Sequence, residues 1–159
     1  MTEDARFEDG GEKPLNLGAF DADDLGILSA LVQDGVLTVG DMSWDPRARR
    51  LSLLINRLRR EDEPAAQRAR RPVERVRTLM VFDNVTGVSS QGIDRNDRQT
   101  VLSILSVEFE EADSPEGNII LTLAGDGALR ARVEAIEVRL KDVTKPYVAP
   151  SGRAPDHGT

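Results

Sequence analysis

The chain has no cysteine among its 159 residues. That absence excludes disulfides, thiolate nucleophiles, iron–sulfur clusters and every zinc site built with Cys ligands. Histidine is nearly absent as well. The single His157 sits in a Gly/Pro-rich stretch near the end of the sequence, which argues against a Ser-His-Asp or Cys-His catalytic site. Aromatic residues make up only 4% of the chain, and arginine supplies 18 of the 21 basic side chains. No apolar run approaches the ~18 residues that a membrane span requires. The opening MTEDARFEDGGEKP is acidic where an export signal would be basic and then apolar, so the expected compartment is the cytoplasm. What remains is an ordinary apolar fraction, 39% hydrophobic residues, in a chain of single-domain length.

Composition divides the chain into three. Residues 1–13 carry five acids against Arg6 and Lys13 and read as an acidic disordered tail. Residues 145–159, rich in Pro and Gly, read as a second one. The body, 14–144, is read as one domain. Asp21 can cap a helix over 22–34, with Asp23 and Asp24 in the first turn, Phe20 and Leu25 at staple spacing, and Leu25, Leu28, Leu31 and Val32 as its apolar stripe. Gly35 is a ready stop, and Gly26 inside the helix suggests close packing. Strands are then predicted at 36–44, 50–60, 73–82, 85–91, 101–110, 118–123 and 129–133. Asp45-Pro46-Arg47-Ala48 forms a turn, Pro64 can start a helical turn in the 61–72 connection, and Ala124-Gly125-Asp126-Gly127 signals a hairpin. Ile136, Leu140 and Val143 suggest a closing helix over 135–143.

The fold class is therefore α+β. About seven mostly antiparallel strands form a bent sheet or split barrel between an N-terminal and a C-terminal helix. That element order is similar to the pleckstrin-homology-like domains, a likeness of fold alone.

The segments SWDPRARRLSLLINRLRRE, ERVRTLMVFDNV, SQGIDRNDRQTVLSILSVEFE and LTLAGDGALRARVEAIEVRLKDVTKPYVAPSG resemble an alphaproteobacterial family catalogued as domain of unknown function 2948. The resemblance covers roughly Leu15 to Gly152. It implies a soluble bacterial single domain, and it brings no catalytic residue with it.

Charge is unevenly spread. From Arg47 to Arg77 eleven arginines face four acids, a local +7, which leaves −14 for the rest. If strands 50–60 and 73–82 form a hairpin, the period-two rule places Arg57 and Arg59 near Arg75 and Arg77 on one face. Like charges so placed call for an anion or for intervening carboxylates. The alternative is that Glu61, Glu63, Glu74 and the acidic tail pair with these arginines on a solvated surface. A second polar candidate is the 89–98 loop, with Gln91, Asp94, Arg95, Asp97 and Arg98. Asp97 breaks the calcium-loop register, and Asp and Asn also serve turns by bonding their own backbone.

The expected function is thus a non-enzymatic binding or adaptor module that takes a protein or small anionic ligand on Arg57, Arg59, Arg75 and Arg77, with no cofactor and no metal. One alternative is a hydrolase-like or other enzyme with a polar site in the 89–98 loop. Another is a weak nucleic-acid binder, disfavoured by an acidic pI near 4.8 and by the lack of aromatics among the arginines.

Overall fold

A computed structural model describes residues 13–148. The segments expected as tails lie outside the described residues, apart from Lys13 and residues 145–148.

The chain opens with a strand that the sequence reading missed, β1 (Asn16–Ala19), and α1 (Ala22–Val32) follows it. Asp21 caps α1 by accepting the Asp24 N–H at 2.8 Å, and Leu25, Leu28 and Val32 are buried. Phe20 does not staple the helix; it is 64% exposed, with its ring beside Gly18. Nor does Gly26 mark a close approach, since a Cβ there would meet nothing within 4 Å. After the helix, Asp34 takes the left-handed conformation (φ 67°). Gly35 is needed for space instead, because a Cβ would fall 2.6 Å from Ile55 Cγ2 and 2.8 Å from the Val32 carbonyl oxygen.

The strand expected over 36–44 is broken. β2 (Val36–Thr38) gives way to a 3₁₀ turn at Val39–Asp41 before β3 (Met42–Asp45). The Asp41 carboxylate accepts both the Thr38 N–H and the Thr38 hydroxyl, at 2.9 and 3.0 Å, which fixes the turn. The expected turn follows, with Asp45 Oδ1 accepting from the Arg47 and Ala48 N–H groups. Next come β4 (Arg50–Leu58), the short helix α2 (Glu63–Arg68) with Pro64 in its first turn, β5 (Glu74–Phe82) and β6 (Val85–Gln91). The long β7 (Val101–Glu111), β8 (Gly117–Leu123) and β9 (Gly127–Val133) form a meander. Gly125 and Asp126, both at positive φ, turn the β8–β9 hairpin.

The closing helix is absent. In its place β10 (Val138–Asp142) buries Val138, Leu140 and Asp142 and exposes Arg139 and Lys141. A final strand, β11 (Tyr147–Val148), pairs with β5. The fold is therefore mostly antiparallel, as expected, but the described residues form eleven strands, and their two helices are short and lie neither first nor last among these elements. It departs accordingly from the seven-strand, C-terminal-helix order of pleckstrin-homology-like domains.

The sheet path runs β1-β10-β5-β4-β2-β7-β8-β9-β6, with β3 on β4 and β11 on β5. β5 leads into β6 and β9 into β10, and Asp83 N–H to the Glu137 carbonyl and Glu134 N–H to the Asn84 carbonyl join the β5–β10 ladder to the β6–β9 ladder. Asn84, between β5 and β6, has φ 60°. Inward faces of β4, β5, β7, β8, β9 and β10 form one core, and α1 packs on β1, β4 and β7 to cover it. Among the described residues, no helix is long and apolar enough to cross a membrane.

Candidate functional site

The four arginines picked out by the sequence do not share a face. In the β4–β5 ladder Arg57 lies opposite Val76, Asn56 opposite Arg77 and Leu58 opposite Arg75. Opposed residues project to the same side, so Arg57 belongs to the core face while Arg75 and Arg77 lie on the outer one. The one-face expectation paired odd-numbered residues with odd; the actual register pairs odd with even.

Arg57 has no exposed surface, and all five of its donors are used. Nε donates to Thr78 Oγ1 (2.9 Å), Nη1 to Glu61 Oε1 (2.9 Å) and the Leu58 carbonyl (3.1 Å), and Nη2 to Glu61 Oε2 and Asp142 Oδ1 (both 3.0 Å). Asp142 also accepts from the Thr78 hydroxyl (2.8 Å) and the Leu15 N–H (2.8 Å). Desolvation pulls the Arg57 pKa down, but hydrogen bonding and charge from Glu61, then Asp142, outweigh it and hold the pKa above its ordinary value.

Arg59 is likewise buried, ion-paired to Glu74 and to Asp62, the latter also held by Arg71 at 2.8 Å. Arg60 pairs with the buried Asp34. These pairs pin α2 and its flanks to the end of the sheet. On the outer face, Arg75 donates to Asn56 Oδ1 (2.6 Å) and to the Asn56 carbonyl (3.1 Å), and Asn56 Nδ2 donates to the Tyr147 hydroxyl (2.6 Å). Burial pulls the Arg75 pKa below its ordinary value, against the raising influence of Tyr147 and Asp34. Arg77 alone of the four is exposed. The expected carboxylate pairing thus applies to Arg57 and Arg59, in the interior instead of on a wet surface.

The described surface does carry a groove, on the outer face of the other half of the sheet. Register sets Gly87, Arg132, Asn118 and Glu110 in one cross-strand row, and Ser89, Arg130, Ile120 and Glu108 in the next. Two adjoining depressions of about 430 and 270 Å³ lie over these rows. The larger is lined by Ser89, Ser90, Gln91, Glu110, Ile120, Ala128 and Arg130, and the smaller by Gly87, Val88, Ser89, Asn118, Arg130 and Arg132. Arg130 Nε donates to Ser89 Oγ at 3.2 Å. Neither Arg130 nor Arg132 has a carboxylate partner among the described residues. Gly87, opposite Arg132, leaves open space where a Cβ would touch nothing within 4 Å.

The 89–98 candidates separate. Gln91 is a β6 residue and lines the larger depression. Asp94, Arg95, Asp97 and Arg98 lie beyond the strand, are exposed and do not line it. Asp94 Oδ1 accepts the Asn96 N–H (3.1 Å) and Asp97 Oδ1 the Gln99 N–H (3.0 Å), the turn chemistry that Asp favours. Arg98 donates to the Gly40 carbonyl at 3.3 Å. Sequence reasoning missed Arg130 and Arg132 as site residues. Their alternation with Leu129, Ala131 and Val133 marks a strand with one wet face, but nothing local in the sequence says that Ser89, Asn118 and Gly87 gather around it.

The chain belongs to the family described as Protein of unknown function (DUF2948), whose model matches residues 15–157, a span that takes in every strand and both helices described above. No curated protein and no solved structure matches the chain.

Proposed function

We propose that this DUF2948 domain is a non-enzymatic cytoplasmic binding module that recognises a carboxylate- or phosphate-bearing ligand in the groove over β6, β9 and β8. One observation carries the reading: Arg130 and Arg132 project from alternate positions of β9 into a groove with Ser89 and Asn118, and neither is ion-paired to a described carboxylate, although Glu110 also lines the groove. Guanidinium forks suit planar oxyanions, and hydroxyl and amide donors beside them complete such a site. The −7 net charge of the chain does not oppose this, since charges beyond ~8 Å are largely screened at physiological salt. Arg57 and Arg59 contribute architecture instead, because both guanidinium groups are buried and ion-paired to carboxylates of the chain itself. The acid–base alternative finds little support, since Asp94 and Asp97 hold their own turns.

Calorimetric titration with pyrophosphate and citrate tests the reading. Each charge-assisted contact is worth about 1.5–3 kcal/mol, so Arg130→Gln and Arg132→Gln should each weaken binding by about tenfold or more. Arg77→Gln should leave it unchanged. Gly87→Leu, which fills the open space beside Arg132, should block binding without unfolding the domain. No binding by the wild-type chain, or equal loss in Arg77→Gln, would defeat the proposal.

A further inference from the structure

The groove lies beside an edge of the sheet: beyond Val85, whose N–H donates to the Arg49 carbonyl, β6 pairs with β9 alone among the described residues. The strand path ends in β1 on one side and β6 on the other. α1 packs against β1, whereas β6 has β9 as its one strand neighbour among the described residues. Natural edge strands are commonly blocked by Lys, Pro or a bulge. In β6 the irregularity is confined to Val85–Gly87, and Val88-Ser89-Ser90-Gln91 contains neither proline nor charge. Beyond that irregularity, alternate backbone N–H and C=O groups of β6 point away from β9 and are available to another strand.

The charge of the groove is placed to serve that edge. The bond from Arg130 Nε to Ser89 Oγ draws the guanidinium from β9 out over β6. Arg132 stands two residues along the same face of β9, about 6.8 Å away at the usual rise. That is also the spacing between same-side side chains of any extended segment lying parallel or antiparallel to it.

Resting on the anion reading of the groove, we infer that its ligand is an extended acidic segment of a partner protein, added as a strand to β6. Carboxylates at alternate positions of that segment face Arg130 and Arg132. Main-chain pairing to the edge supplies affinity, and the two arginines select acidic residues at i and i+2. Charge selects this occupant over a second copy of the chain, whose own β6 is uncharged along Val88–Gln91 and would bring a second Arg130 instead of a carboxylate.

The test uses the full chain and a fluorescein-labelled peptide alternating Val and Glu over six residues, read by anisotropy. Three controls are a Val/Gln peptide, the acidic peptide with alternate amides replaced by esters, and the Arg130→Gln/Arg132→Gln variant checked for unchanged melting temperature. The expected result is saturable binding of the acidic peptide, weakened tenfold or more in every control, by a chain that sediments as a monomer. Equal affinity for the ester or the Gln peptide would overturn the inference. So would tighter binding of a labelled single-stranded oligonucleotide, or a self-dimer that the peptide does not dissociate. Arginine-dependent pyrophosphate binding without peptide binding would sink the inference and leave the groove reading standing; binding of neither would end both.

Discussion

Arg57 carries a full charge into the interior, and the whole arrangement around it follows from that. Taking a guanidinium and a carboxylate out of water costs several kcal/mol per ion, recovered only when geometry and hydrogen bonding are complete. At Arg57 they are complete, through Glu61, Asp142, Thr78 and the Leu58 carbonyl. Arg57→Met should therefore lower stability by about 3–5 kcal/mol in chemical denaturation, because Asp142 is left buried and unpaired. Adding Asp142→Leu should restore much of the loss; a double variant worse than the single would contradict this account. Arg59 is the weaker member, since its Nε and Nη2 are buried without partners among the described residues. Arg59→Met should cost less than Arg57→Met. The raised Arg57 pKa means that its contribution is complete at every pH below the ordinary guanidinium value and is lost only in stronger alkali. Between about pH 5 and 9 this group gives stability no slope. Burial of Arg57 was not legible beforehand, because an arginine flanked by Asn56 and Leu58 carries no mark of the face it will take; the β4–β5 register decides it.

At the scale of elements, the sequence specified most strands and one helix, and failed where two periods fit the same residues. Ile136, Leu140 and Val143 satisfy a helical stripe, yet Val138, Leu140 and Asp142 satisfy a strand, and pairing with both β1 and β5 favours the second. Leu140→Ala should cost about 2–5 kcal/mol. Val143→Ala should fall within about 0.5 kcal/mol, because Val143 is 48% exposed; a helix would have buried both. β7 shows a subtler shift. Its alternation changes phase at the irregularity between Ile104 and Ser106, so Leu102 and Ile104 face inward before it and Val107 after it. A bulge of this kind leaves no signature in period-two patterning. In α1, Gly26 has room for a methyl group, so Gly26→Ala should stabilise the domain by about 0.5–1 kcal/mol. A lower melting temperature in that variant would show that the space is not open.

Across the described residues, charge is divided between two parts of the sheet. Around the β4–β5 end, arginine and carboxylate are matched inside the fold. Over β6, β8 and β9, Arg130 and Arg132 make no ion pair with a described carboxylate and stand beside β6, which pairs with β9 alone among the described residues. The sequence made the first cluster conspicuous because it is dense along the chain. The second was hard to see because Ser89, Asn118 and Arg130 are brought together from three strands across 42 residues. Density along the chain reported ion pairing here, while the candidate site arises from register. The central claim is that anions are bound by the β6–β9–β8 face. It is tested most directly by following the backbone amide and Arg side-chain Nε–H resonances of the ¹⁵N-labelled chain during pyrophosphate titration. Shifts centred on Ser89, Asn118, Arg130 and Arg132, and lost in Arg132→Gln, are the predicted result. Shifts centred on Arg75 and Arg77, or none at all, would contradict it.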